Sequence, residues 1–146
     1  MRLENVPTIR QMLDEAPIKH NNSTFIKYIK DDVVVSKSFG EVRDNSLAFA
    51  RMLRHKLPDR SHIAIVSKTC YEYIVGVTGV LVSANVAVPI APDSTAQDVA
   101  AVLNDADVTG VLYEPEFAQK LEDVKALCPN ISFTLEMNED EYEKLS

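Results

Sequence analysis

The sequence predicts an α/β fold: a three-layer parallel sheet with helices on both faces, plus an N-terminal antiparallel hairpin. Three observations carry that expectation. Ile63 to Val66, Val86 to Ile90 and Val108 to Tyr113 are short, apolar, β-branched runs without polar alternation, the pattern of strands buried on both faces. Stretches of helical periodicity separate them, as right-handed crossovers between parallel strands require. Upstream, two β-rich runs flank a short polar turn.

Residues 8–17 come first. Ile9, Met12 and Leu13 share one side of a short amphipathic helix from Thr8 to Ala16, which Pro17 is expected to stop. Thr24 to Ile29 and Val33 to Ser36, joined by Lys30-Asp31-Asp32, then form a hairpin over residues 24–36. Ser38-Phe39-Gly40-Glu41 matches a capping box and opens a helix with Val42, Phe49, Met52, Leu53 and Leu57 on one face, closed by Pro58.

The α/β core spans residues 38–135. Ile63 to Val66 is its first parallel strand, followed by a helix over Tyr71 to Ala84 with few polar positions. After the strand at Val86 to Ile90, Ser94 and Gln97 suggest the start of a helix whose inward stripe is Val99, Val102, Leu103 and Ala106. Val108 to Tyr113 is strand. Pro115 suits a first helical turn, with Phe117, Leu121 and Val124 inward, and Ile131 to Leu135 is the last strand. Length and composition fit one folding unit over residues 1–146: 46% hydrophobic and 25% charged residues make an ordinary globular balance.

Fifteen Lys and Arg against 22 Asp and Glu give a formal charge of -7, with the basic residues scattered. Such a field repels phosphate backbones and anionic membranes, so no nucleic-acid partner is expected. The opening Met1-Arg2-Leu3-Glu4-Asn5 lacks the apolar run of a signal peptide, which makes a cytoplasmic location the expectation. The uncharged stretch from Ile74 to Pro92 is interrupted by Asn85, Pro89 and Pro92 and reads as a helix plus a strand, so no membrane span is expected. The acidic end, Glu136 to Glu143, reads as a solvated terminus.

Chemistry is sought in the loops after the parallel strands, where open α/β sheets bind ligands. These are Ser67 to Cys70, Ala91 to Ser94 and Glu114 to Glu116. The first has no glycine, which excludes a dinucleotide fingerprint, and the four glycines never cluster before a Lys as in a phosphate-binding loop. His20, His55 and His62 have no Gly-x-Ser-x-Gly elbow to serve, and are read as surface or packing residues. Cys70 and Cys128 stand alone and are read as free thiols. Asp93, Glu114 and Glu116 could converge on a metal, but Asp93 and Glu116 suit the positive ends of helices, and no acidic pair follows the first strand. No catalytic, cofactor-binding or metal residue is therefore assigned.

From Ser38 to Pro92 the sequence resembles the N-terminal part of the AMP-forming acyl-CoA synthetases of the adenylate-forming superfamily. Ser38-Phe39-Gly40-Glu41-Val42 looks like the family's Thr-Tyr-x-Glu-Leu helix start, and His62 to Val66 like its first core strand. Tyr71-Glu72-Tyr73, Gly79 and Asn85 to Ile90 look like its helix, Gly-containing turn and Val-Pro-Leu strand, with long-chain fatty-acid ligases the nearest branch. Asn85 stands where the family usually has Gly. It is expected at the left-handed C′ position of the preceding helix, so that Asn85→Gly is tolerated and Asn85→Val costs about 1 kcal/mol or more.

The resemblance implies a parent enzyme that forms an acyl-adenylate from ATP-Mg and passes the acyl group to coenzyme A. The Ser/Thr/Gly-rich loop ending in Lys, the Thr-Glu pair, the ribose-binding Asp and the mobile Lys of that family have no counterpart here. The expectation is an N-terminal scaffold whose partner is the rest of its parent polypeptide. Two alternatives stay open: a segment of an amino-acid-activating adenylation domain, and a non-catalytic α/β binding module.

Overall fold

The computed structural model describes residues 6–138; the N-terminal pentapeptide and residues 139–143 of the acidic end lie outside the described residues. Helix α1 (Ile9–Lys19) opens with a capping box in which the Thr8 hydroxyl accepts from the Gln11 N–H at 3.1 Å and the Gln11 side chain accepts from the Thr8 N–H at 2.8 Å. Pro17 does not stop this helix. It is buried inside it, and the turn closes beyond it, with the His20 N–H on the Ala16 carbonyl at 3.0 Å and the Asn22 N–H on the Pro17 carbonyl at 2.6 Å. A proline in the last turn forfeits only one ladder bond, and the buried ring offsets that loss.

Strands β1 (Thr24–Lys30) and β2 (Val33–Ser38) pair antiparallel with Lys30 opposite Val33, which leaves a two-residue turn. Asp31 and Asp32 both have positive φ, 50° and 62°, the geometry that matches the natural twist of a tight hairpin. Ser38 then caps α2 (Phe39–Lys56) through the expected capping box: its hydroxyl accepts from the Glu41 N–H at 3.2 Å, and a Glu41 carboxylate oxygen accepts from the Ser38 N–H at 2.7 Å.

Four parallel strands follow: β3 (His62–Val66), β4 (Val86–Ile90), β5 (Val108–Tyr113) and β6 (Phe133–Glu136), in the order β4-β3-β5-β6. The chain steps one way from β3 to β4, then returns past β3 to β5 and continues to β6. Right-handed crossovers in opposite directions place their helices on opposite faces. Thus α3 (Tyr71–Val82) packs with α2 over one face, and α4 (Ala96–Asp105) with α5 (Ala118–Leu127) over the other.

The two cores follow the period of the strands. Ile63 and Ile65 point to Phe49, Leu53, Tyr71, Val75 and Val80, whereas Ala64 and Val66 point to Val99, Leu103, Leu121 and Val124. The fold class expected from sequence is the one observed. Pro89 lies on β4, an edge strand, where no ladder donor is lost on the open side. At Gly79 a Cβ would meet the Phe49 ring at 2.6 Å and the Ser46 carbonyl at 3.2 Å, so its absence lets α2 and α3 approach.

Three local expectations shift. Helix α4 is capped by Thr95 and not by Ser94: the Ser94 N–H belongs to a turn onto the Ala91 carbonyl (3.3 Å), and the Thr95 hydroxyl accepts from the Asp98 N–H at 3.1 Å. Its inward stripe is Val99, Ala100 and Leu103, with Val102 44% exposed. The left-handed residue after α3 is Ala84 (φ 62°), with the Asn85 N–H bonded back to the Val80 carbonyl at 3.2 Å. Asn85 is instead a buried bracket, its Oδ1 accepting from the Ser61 N–H at 2.9 Å and its amide donating to the Ser83 hydroxyl at 2.8 Å.

Candidate functional site

The strand order reverses direction between β3 and β5, and their carboxyl ends open onto the crevices where such sheets take ligands. Two crevices lie there. One of about 440 Å3 is lined by Lys68, Pro92, Asp93, Glu114, Glu116, Phe117 and Lys120. A second, of about 410 Å3, shares Lys68, Glu114 and Glu116 and extends to Cys70, Glu72 and Met137. All three loops singled out from the sequence therefore meet at one end of the sheet.

Glu114 is the central group. It directly follows β5, its N–H donates to the Val66 carbonyl at 3.0 Å, and the residue is only 8% exposed. One carboxylate oxygen, Oε2, accepts from the Lys68 N–H at 2.8 Å, and the Ser67 hydroxyl, which donates to the Lys68 carbonyl at 2.8 Å, lies 3.4 Å from it. The loop after β3 is thus tied to the end of β5 by a charge-assisted bond. Glu116, in the 3-10 turn Pro115–Phe117, lies 3.7 Å from the Lys68 ammonium in an exposed pair that contributes little.

The Lys120 ammonium donates to the carbonyls of Pro92 (3.1 Å) and Ser94 (2.8 Å) and lies 5.6 Å from the centre of the Phe117 ring. It braces the β4–α4 loop against α5. Cys70, directly before α3, is half-buried, and its thiol has its pKa raised by burial, against the opposing pull of the Tyr73 N–H and the Ser67 hydroxyl. Cys128 is buried, its pKa also raised by burial, with its thiol on the Ala100 carbonyl at 3.6 Å. Neither thiol is primed for nucleophilic attack.

Asp93, Glu114 and Glu116 line one crevice, yet among the described residues no three His, Cys, Asp or Glu side chains come together so as to hold a metal ion. Glu114 is spent on backbone and Glu116 on Lys68. Two of the three histidines pack: His20 stacks on Phe39 with ring centres 4.6 Å apart, and His62 Nδ1 meets the Ala106 carbonyl at 2.6 Å, while His55 is exposed on α2. The Tyr-Glu-Tyr block is structural at its first position. Tyr71 is buried, accepts from the Asn45 amide at 2.7 Å and stacks on Tyr28, which seats the hairpin on α3.

Sequence reasoning missed the Glu114 tie and the Lys120 brace. The signal for the first was a Glu immediately after a continuous apolar strand and before Pro115, facing Ser67-Lys68 after the neighbouring strand. It becomes legible only when β3 and β5 are known to be adjacent.

A model of the AMP-binding enzyme family, described as AMP-binding enzyme, matches residues 13–145. No curated protein matches the sequence significantly. Solved structures do match. An anthranilate CoA ligase bound to anthranoyl-AMP is 13% identical with a TM-score of 0.80, over 99% of this chain and 29% of that one. A long-chain-fatty-acid-CoA ligase from Archaeoglobus fulgidus is 15% identical with a TM-score of 0.81, over 94% and 29%. VinN in complex with L-aspartate is 18% identical with a TM-score of 0.77, over 95% and 34%. At such identities the likeness is one of fold, and this chain spans about a third or less of each neighbour's length.

Proposed function

The chain belongs to the AMP-binding enzyme family, and on that premise we propose that it is the N-terminal scaffold of an ATP-dependent acyl-CoA synthetase, inactive by itself. In the proposed reaction a carboxylate displaces pyrophosphate from ATP to give an acyl-adenylate, and the thiol of coenzyme A then displaces AMP. One observation carries this reading: the fold of almost the whole chain recurs within ligases of which it covers only about 29%.

ATP, Mg and coenzyme A belong in this proposal to the full-length parent. The residues here do not fit an ATP-Mg group: Glu114 is bonded to the loop backbone, and among the described residues no three acidic or metal-ligating side chains come together to hold a cation. No step of adenylation is therefore derived through them. What this chain supplies is a sheet whose carboxyl ends are held rigid by the Glu114 tie and the Lys120 brace.

A fatty acid is the substrate class proposed first, on the Tyr71-Glu72-Tyr73 block and the fatty-acid ligase among the structural neighbours. VinN with L-aspartate favours a second reading, an amino-acid-activating enzyme. The test is the reading frame beyond Ser146 and the activity of its product. A Gly-rich loop ending in Lys, with thioester formation from a fatty acid, supports the first reading; adenylation of an amino acid instead would establish the second. A frame that closes without such a loop, in a protein with no ligase partner chain, would overturn both.

A further inference from the structure

The crevice at the reversal of strand order has the makings of an anion site. The Lys68 backbone N–H lies there, Lys68 and Lys120 line it, and the positive end of α3 begins at Tyr71 just beyond. The Lys120 ammonium is held by carbonyl oxygens and, among the described residues, pairs with no carboxylate. What meets the Lys68 N–H is the protein's own Glu114.

We propose that Glu114 is a built-in anion that fills the ligand position of this sheet, so that external anions are excluded from the β3–β5 crevice and the loop from Ser67 to Cys70 is set without a ligand. The geometry is that of a bound carboxylate: Oε2 lies 2.8 Å from the Lys68 nitrogen in a residue 8% exposed, and the side chain lines both crevices. Glu114 is a positioning residue, acting through the loop it holds. It also gives the crevice an acidic excess, since Asp93, Glu114 and Glu116 outnumber Lys68 and Lys120, which disfavours a second anion. The inference does not depend on which carboxylate a parent enzyme activates.

The test compares the wild-type chain with Glu114→Ala and Glu114→Gln, each 15N-labelled and titrated with inorganic phosphate at constant ionic strength. In the wild type the amide resonances of Lys68 and Thr69 stay in place. In Glu114→Ala they shift saturably with phosphate, and without phosphate the Lys68 amide exchanges about tenfold faster or more, as loss of a charge-assisted bond requires. Glu114→Gln keeps the shape and an acceptor while removing the charge. It serves where the alanine variant fails to fold, and its Lys68 and Thr69 amides respond to phosphate more weakly than those of the alanine variant. Equal phosphate shifts in wild type and variants would show that Glu114 excludes nothing. No response in either variant would show that the donors do not form an anion site, and either result overturns the proposal.

Discussion

Replacing Asn85 with Gly destabilises this domain, although a turn after a helix is ordinarily a place where Gly is welcome. The magnitude follows from two buried bonds. The substitution removes the acceptor of the Ser61 N–H (2.9 Å) and the donor to the Ser83 hydroxyl (2.8 Å), at a residue 8% exposed. Leaving the Ser61 N–H without an acceptor costs about 1–3 kcal/mol, and the added backbone freedom of Gly costs a further 0.5–1 kcal/mol or so. The expected loss is about 1.5–4 kcal/mol, which lowers the melting temperature by roughly 5–13 °C in a domain of this size. One residue earlier the sign reverses. Ala84 holds φ at 62°, where an L-residue is strained by about 1–2 kcal/mol, so Ala84→Gly gains about 0.5–1 kcal/mol after its entropic cost. Urea denaturation of the three proteins, followed by far-UV circular dichroism, measures both. Asn85→Gly as stable as wild type, or Ala84→Gly less stable, would refute the assignment of the left-handed position to Ala84 and of the bracket to Asn85.

Other substitutions test the packing that holds the sheet. Gly79→Ala drives a methyl to 2.6 Å from the Phe49 ring and should cost about 1–2 kcal/mol net of the ~1 kcal/mol gain in helix propensity, read as a lower urea midpoint. Tyr71→Phe keeps the ring stacked on Tyr28 but loses the 2.7 Å bond from Asn45, a cost of about 1 kcal/mol by the same assay. Burial raises the pKa of Cys70 and Cys128 above the ordinary 9.0. The stability gained by keeping these thiols protonated is therefore full below about pH 9 and is lost as pH rises through their folded values, so urea midpoints should hold to pH 8 and fall above pH 9. Cys70→Ser and Cys128→Ala together should flatten that decline; an unchanged decline would assign it to other groups.

Much of the fold was legible because it is encoded locally. The capping box at Ser38 and Glu41, the Asp31-Asp32 turn and the continuous strands at Ile63 to Val66 and Val108 to Tyr113 each carry their signal within a few residues. The errors arose where a tertiary partner decides between local options. Pro17 reads as a stop until its ring is buried, Ser94 reads as a cap until its N–H is claimed by Ala91, and Asn85 reads as the left-handed residue until Ser61 claims its side chain. That the three loops share one end of the sheet was legible from strand ends alone, since loops after parallel strands gather on one side of the sheet. The role of Glu114 was not, because a carboxylate that binds a ligand and one that binds its own backbone look alike in sequence, and only the adjacency of β3 and β5 separates them.

In the proposed function this chain builds a framework, and the chemistry belongs to the parent enzyme. Carboxylate-dependent exchange of labelled pyrophosphate into ATP by the purified 146-residue protein is the most direct measurement. No exchange above background is expected with fatty acids or amino acids. Exchange that depends on an added carboxylate and survives repurification would contradict it.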